Sequence, residues 1–109
     1  MASLVYLASP YSSINPAVRE MRYERARVVT ASLLKRGIPV FSPIVYGRAM
    51  EKIIGTDYIS WKTFNDCMLD SCASMLVLTI DGWENSRGVA YEIDRAKGLK
   101  LPISYLADT

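Results

Sequence analysis

Glu92 is the side chain in this sequence whose surroundings most suggest chemistry. It lies next to the end of the stretch Ser86-Arg87-Gly88-Val89-Ala90-Tyr91-Glu92-Ile93, which opens with small and capping residues and runs into a helical pattern. Asn85 or Ser86 can cap the orphan amides of a helix reaching about Lys97, with Gly98 as its left-handed stop. Val89, Ile93 and Ala96 fall at i, i+4 and i+7, the spacing of a stripe that packs on a sheet. At about 100° per residue Glu92 lies roughly 60° from Val89, at the edge of that stripe, which turns it toward a cleft. Upstream, Met75 to Ile80 is a continuous apolar run that reads as a strand buried on both faces, ending at the turn Asp81-Gly82. A strand, a loop and a helix N-terminus bearing Ser86 and Gly88 together attract anions through free amides and the helix dipole. An anion site thus lies beside a carboxylate. The same residues also permit a plainer arrangement, with Glu92 a solvated helix acid and Ser86 only a cap.

Histidine is absent from the 109 residues, which excludes Ser-His-Asp and Cys-His nucleophiles and every histidine-bearing metal motif. The two thiols, Cys67 and Cys72, are five apart on an expected helix and point in different directions, as reduced thiols of a cytosolic protein would. No metal and no cofactor are expected. An acid, base or nucleophile has to come from Asp, Glu, Tyr or Lys. A net charge of +2 is too weak to argue for a nucleic-acid polymer, although 13 basic residues can still form a local patch for a small phosphorylated ligand. No apolar run approaches a membrane span, and Met1-Ala2-Ser3 leads directly into a strand without a signal-peptide pattern, so a cytoplasmic protein is expected.

The elements that must position Glu92 follow in chain order. Ser3 to Leu7 reads as a first strand, ending at the hydroxyl-rich run Ala8-Ser9-Pro10-Tyr11-Ser12-Ser13. Asn15-Pro16 is a cap followed by proline at the first helical position, and the helix should run to Arg36 with Gly37 as its stop. Its stripe is Ala26, Val29 and Leu33; one and two turns earlier the same face carries Arg22 and Arg19, which could meet a phosphate or pair with Glu20 or Glu24. Ile38 to Ser42 is a second short strand. Pro43 to Thr56 reads as irregular or partly helical, a lid or an edge punctuated by Tyr46-Gly47 and Gly55. Asp57 can cap a helix from Tyr58 to Cys72 whose stripe is Trp61, Phe64, Met68 and Cys72, a pattern that leaves Asp66 and Asp70 on the solvent side. Leu101 to Leu106 is the last strand. The alternation predicts one α/β domain over residues 1–109, a Rossmann-like (flavodoxin-like) parallel sheet of about four to five strands with helices on both faces and right-handed crossovers. A chain this short forms a shallow site, so a homo-oligomer, dimer or tetramer, is expected.

Three segments together, Tyr6-Leu7-Ala8-Ser9-Pro10-Tyr11-Ser12, Asp66 ahead of the third strand, and Ser86 to Ile93, resemble the nucleoside 2-deoxyribosyltransferase superfamily. Within it the chain is most similar to the small DUF1937 proteins. The resemblance implies cleavage of an N-glycosidic bond of a (deoxy)nucleoside 5′-monophosphate or nucleoside, by transfer to another base or to water. It implies Glu92 as the nucleophile, Asp66 as the group that orients the sugar or helps protonate the departing base, and Tyr6 or Tyr11 as the hydrogen-bond partner of Glu92. It also implies a phosphate cradle from Ser86 and Gly88 with the first loop (Ser9, Pro10, Ser12, Ser13) and a nearby arginine, Arg19 or Arg22. Under it Asp66 can face a pocket roofed by residues 43–56 or by a neighbouring subunit.

Such chemistry suits a chain without histidine, since an oxocarbenium-like transition state needs a charged carboxylate on one side and a proton for the leaving group on the other. Two acids in unlike environments are therefore expected, Glu92 ionised and its partner protonated. The contrasting reading is a non-catalytic nucleotide-binding or sensing module that uses the same kind of cleft.

Overall fold

Strands buried on both faces pair most readily in parallel, because the crossover helices then cover both sides of the sheet. The computed structural model describes residues 3–55 and 58–107 and has this arrangement. Its elements are β1 (Val5–Ala8), α1 (Pro16–Lys35), β2 (Val40–Phe41), α2 (Pro43–Ile54), α3 (Tyr58–Asp70), β3 (Ser74–Leu78), α4 (Arg87–Gly98) and β4 (Ile103–Leu106), with a 3-10 turn at Trp83–Asn85 before α4. The four strands are all parallel in the order β2-β1-β3-β4. This is the Rossmann-like α/β fold expected from the pattern.

Register puts Tyr6 beside Met75 and Leu7 beside Leu76, so alternate residues feed two cores. On one face Tyr6, Ala8, Met75 and Val77 pack with Leu69 of α3 and with Val89 and Ala96 of α4. On the other, Leu7, Leu78 and Ile80 pack with Val29 of α1, Val40 and Leu106. Burying side chains such as Leu69 and Val77 stabilises the fold by roughly 1.5–3 kcal/mol each.

β1 occupies the point where the winding reverses. From it the chain crosses through α1 to β2 on one side, then returns through α2 and α3 to β3 on the other. The loops leaving β1 and β3 therefore part at the carboxyl edge of the sheet and open a crevice, the usual ligand position of such sheets. Arg22 ties the two loops together, donating to Ser12 O at 2.8 Å and to Asp81 O at 3.4 Å. Gly82 makes room for it: its φ is +93°, and a Cβ there would stand 2.2 Å from Arg22 Nη2.

Several boundaries differ from expectation. Residues 43–54 form a regular helix, capped by Ser42, whose Oγ accepts from Val45 N at 3.2 Å, with Pro43 in the first turn. Gly47 sits inside that helix facing Trp61, and only Gly55, at φ +85°, ends it. The strand expected over Ile38–Ser42 shortens to two residues. Gly98 stays helical, and the left-handed position falls on Lys100, at φ +61°. Helix α3 ends at Asp70, and Leu69, 1% exposed, is buried outside the expected stripe. Trp61 and Phe64 instead join Tyr46 and Phe41 in an aromatic cluster with ring centroids 5.1–6.4 Å apart. The expected cap Asp57 lies outside the described residues.

Candidate active site

The crevice is a cleft of about 900 Å³, within the range of small-molecule sites. One side is the start of α4 (Asn85 to Gly88, Tyr91, Glu92) and the first loop (Ser9, Tyr11, Ser12). The other is α2 (Ile44, Gly47, Arg48, Glu51) and α3 (Trp61, Lys62, Asn65, Asp66). Tyr6 and Leu69 line its base.

Glu92 reaches the cleft from the sheet-facing edge of α4 and accepts a hydrogen bond from the hydroxyl of Tyr6. Val89 and Ala96 lock the helix against the sheet at 1% and 0% exposure, which fixes the direction of Glu92. Burial pushes the Glu92 carboxyl up to about 7; the Tyr6 hydrogen bond pulls it down, and the negative charge of Asp66 adds to the rise. Glu92 retains some exposed surface because it opens onto the cleft. Burial, followed by the charge of Glu92 and their hydrogen bond, raises the Tyr6 phenol well above its ordinary value. Tyr6 therefore stays protonated and donates.

Asp66 lines the same cavity as Glu92 in a very different setting. Its two carboxylate oxygens accept from Tyr91 Oη at 3.1 and 3.0 Å. It forms ion pairs with Lys62 Nζ at 3.3 Å and, more loosely, with Arg95 Nε at 3.7 Å. The expected placement of Asp66 on the solvent side fails because Leu69, 1% exposed, takes the centre of the inward face, while Met68 packs on the same core only partly buried. Residues three apart lie about 60° from one another on a helix, so an inward Leu69 carries Asp66 to the cleft. The acids occupy unlike environments: Glu92 is buried beside Tyr6, and Asp66 is ion-paired.

At the mouth, Ser86 Oγ caps α4 by accepting from Val89 N at 3.2 Å. The amides of Arg87 and Gly88 have no backbone partner among the described residues, so they are free donors at a positive helix end. Arg87 lines the cleft and its guanidinium makes no hydrogen bond or ion pair among the described residues. Ser9 is 4% exposed, and its hydroxyl also lacks a partner among the described residues. Such a group is destabilising by roughly 1–3 kcal/mol unless another molecule completes it.

The remaining expected residues are placed differently. Tyr11 lines the cleft but donates to Glu51 Oε1 at 3.3 Å, so among the described residues it is Tyr6 that hydrogen-bonds Glu92. Pro10, Ser13, Arg19 and Arg22 do not line it. Arg19 donates to Ser13 O, and Arg22 braces the loops as described. Nor do these arginines pair with Glu20 or Glu24, which bind Arg48 and Arg27. The cations on the cleft are Arg48, Lys62 and Arg87. Arg87 stands inside the motif that carries Glu92; Arg48 and Lys62 have no local signal and depend on how α2 and α3 fold back over the sheet.

A parallel α/β sheet with a carboxylate-lined cleft at its switch point defines the class to which this molecule belongs. The chain is a member of the family described as "Domain of unknown function (DUF1937)", whose model matches residues 3–107. Among solved structures it is similar to the 2-desoxiribosyltransferase from Leishmania mexicana, at 18% identity and a TM-score of 0.63. That match covers 98% of this chain and 65% of the other, so the chain spans less than two thirds of that protein's length. The likeness shows a shared α/β fold. No curated protein matches the sequence.

Proposed function

We propose that the protein cleaves the N-glycosidic bond of a (deoxy)nucleoside 5′-monophosphate, or of the corresponding nucleoside, through Glu92. The carrying observation is the Glu92 carboxyl held by the Tyr6 hydroxyl in a cleft whose rim is a helix N-terminus. The similarity to a 2-desoxiribosyltransferase fold supports the same reading.

In this reading the phosphate meets the free amides of Arg87 and Gly88, the Ser86 and Ser9 hydroxyls and the Arg87 guanidinium. Such a set fits a dianion through charge and directed donors. The sugar then reaches inward, with its anomeric carbon at Glu92. Ionised Glu92 attacks that carbon while the bond to the base breaks, and the ester so formed is released by water or by a second base. Asp66, ion-paired on the opposite wall, accepts from sugar hydroxyls and orients the ring.

Incubation with a panel of deoxynucleoside and ribonucleoside monophosphates and nucleosides, with free base followed by chromatography, tests the proposal. Glu92→Gln should abolish release while the fold persists by circular dichroism; undiminished release would remove Glu92 from the chemistry. Addition of a second base separates transfer from hydrolysis. The second reading, a nucleotide-binding or sensing module, draws on the ion-paired state of Asp66. It requires saturable nucleotide binding with no base released by the unaltered protein.

A further inference from the structure

The proposed reaction leaves one requirement without an owner: the electron pair that departs with the base needs a proton or a positive charge to receive it. Tyr6 is committed to Glu92, and Asp66 is ion-paired. Lys62 lies one helical turn before Asp66 on α3 and lines the cleft. Its ammonium donates to Tyr91 Oη at 2.6 Å and to Asp66 Oδ2 at 3.3 Å, and it stands 4.2 Å from the centre of the Tyr91 ring. An ammonium has three protons. Two are taken by these partners, and the third is left for the cavity.

Resting on the glycosidic reading above, we propose that Lys62 is the leaving-group acid, held in place by Tyr91 and Asp66. As a Glu92 oxygen bonds to the anomeric carbon, the carbon–nitrogen bond breaks and its electron pair stays on the base nitrogen. The base takes a proton from the Lys62 ammonium at an accessible ring atom and departs neutral. Lys62 is then a neutral amine. In the second half-reaction water attacks the anomeric carbon and releases the Glu92 carboxylate, and the proton lost by that water returns to Lys62. The sum is substrate plus water giving sugar phosphate plus base.

The arrangement explains why Tyr91 and Asp66 converge on one ammonium. The Tyr91 hydroxyl accepts from Lys62 and passes its own proton toward Asp66, which fixes the direction of the chain. Tyr91 immediately precedes Glu92 on α4, so the same helix that aims the nucleophile also aims the group that holds the acid.

The test compares two leaving groups. One substrate is the deoxynucleoside monophosphate cleaved fastest in the panel; the other is 4-nitrophenyl 2-deoxyribofuranoside 5-phosphate, whose phenolate departs without a proton. Lys62→Met should lower the turnover of the nucleotide by at least about 100-fold, the size of a general-acid contribution. It should leave turnover of the nitrophenyl compound within about threefold of the unaltered protein. Tyr91→Phe, which keeps the ring and removes the hydroxyl, should show the same selective loss in smaller measure. Equal losses on both substrates, or none on either, overturn the assignment of Lys62 while leaving Glu92 in place. Glu92→Gln should silence both; if the unaltered protein releases neither product, the glycosidic reading itself falls, and this assignment with it.

Discussion

A carboxylate that attacks carbon has to be charged, and the burial that sharpens its aim works against that charge. For Glu92 the balance falls at about 7, so the charged form that the proposed chemistry requires accumulates as the pH rises through neutrality. Base release measured against pH should therefore climb between about pH 6 and 8 on its acidic limb. Tyr6→Phe keeps the buried ring and removes the hydroxyl that favours the charged form. In that variant the limb should move to higher pH and the plateau should fall. A limb that stays in place would mean that Glu92 is not the group being titrated. Stability carries the same signature with the opposite sign. Between the ordinary value of 4.5 and about 7 the folded protein keeps a proton that the unfolded chain gives up, so stability falls as pH rises through this window. Denaturant unfolding should find Glu92→Gln more stable than the parent by on the order of 2 kcal/mol at pH 8, with the difference vanishing near pH 4.

At the scale of elements, the N-terminus of α4 combines a capping role with the proposed phosphate site, and the two can be pulled apart. Ser86 caps the helix and also stands at the proposed phosphate site. Ser86→Ala removes the cap and should cost about 1 kcal/mol by thermal unfolding. Ser86→Asp retains a cap oxygen and suits the positive helix end, so the protein should remain as stable as the parent. A carboxylate there repels a phosphate. Binding of monophosphates should weaken by more than about 10-fold in Ser86→Asp, as expected for a like charge brought into contact; binding of nucleosides should change little. Equal weakening of both would place the phosphate elsewhere. The bracing of the β1 and β3 loops by Arg22 belongs to the same scale. It explains why a face that looks built for phosphate is spent on holding the crevice open.

For the molecule as a whole, the cleft is assembled from both ends of the chain, since Tyr6 and Glu92 are 86 residues apart. A ligand that bridges the first loop, α3 and α4 therefore stabilises the entire fold. At a nucleotide concentration 100 times its dissociation constant the gain is about 2.7 kcal/mol, or roughly 10 °C in melting temperature for a domain of this size. Differential scanning fluorimetry should rank monophosphates above nucleosides, because only the former reach the free amides and Arg87. A reversed ranking would count against the anion site.

The alternation of strands and helices behind a parallel sheet, helix starts at Asn15-Pro16 and Ser86, and the cleftward direction of Glu92 were all legible in the sequence. Each rests on local physics: apolar runs demand burial, caps satisfy orphan amides, and one helical wheel needs no knowledge of its neighbours. Asp66, Lys62 and Arg48 were not legible in this way. Which face of α3 turns inward is decided by Leu69 finding the sheet, and Pro43–Ile54 becomes a wall only once its helix packs on α1. The sequence by itself determined which acid stands at the edge of a sheet and beside which helix end. Only the tertiary structure decided which groups face that acid across the cleft, because side chains far apart in the chain meet there through packing that no local pattern records.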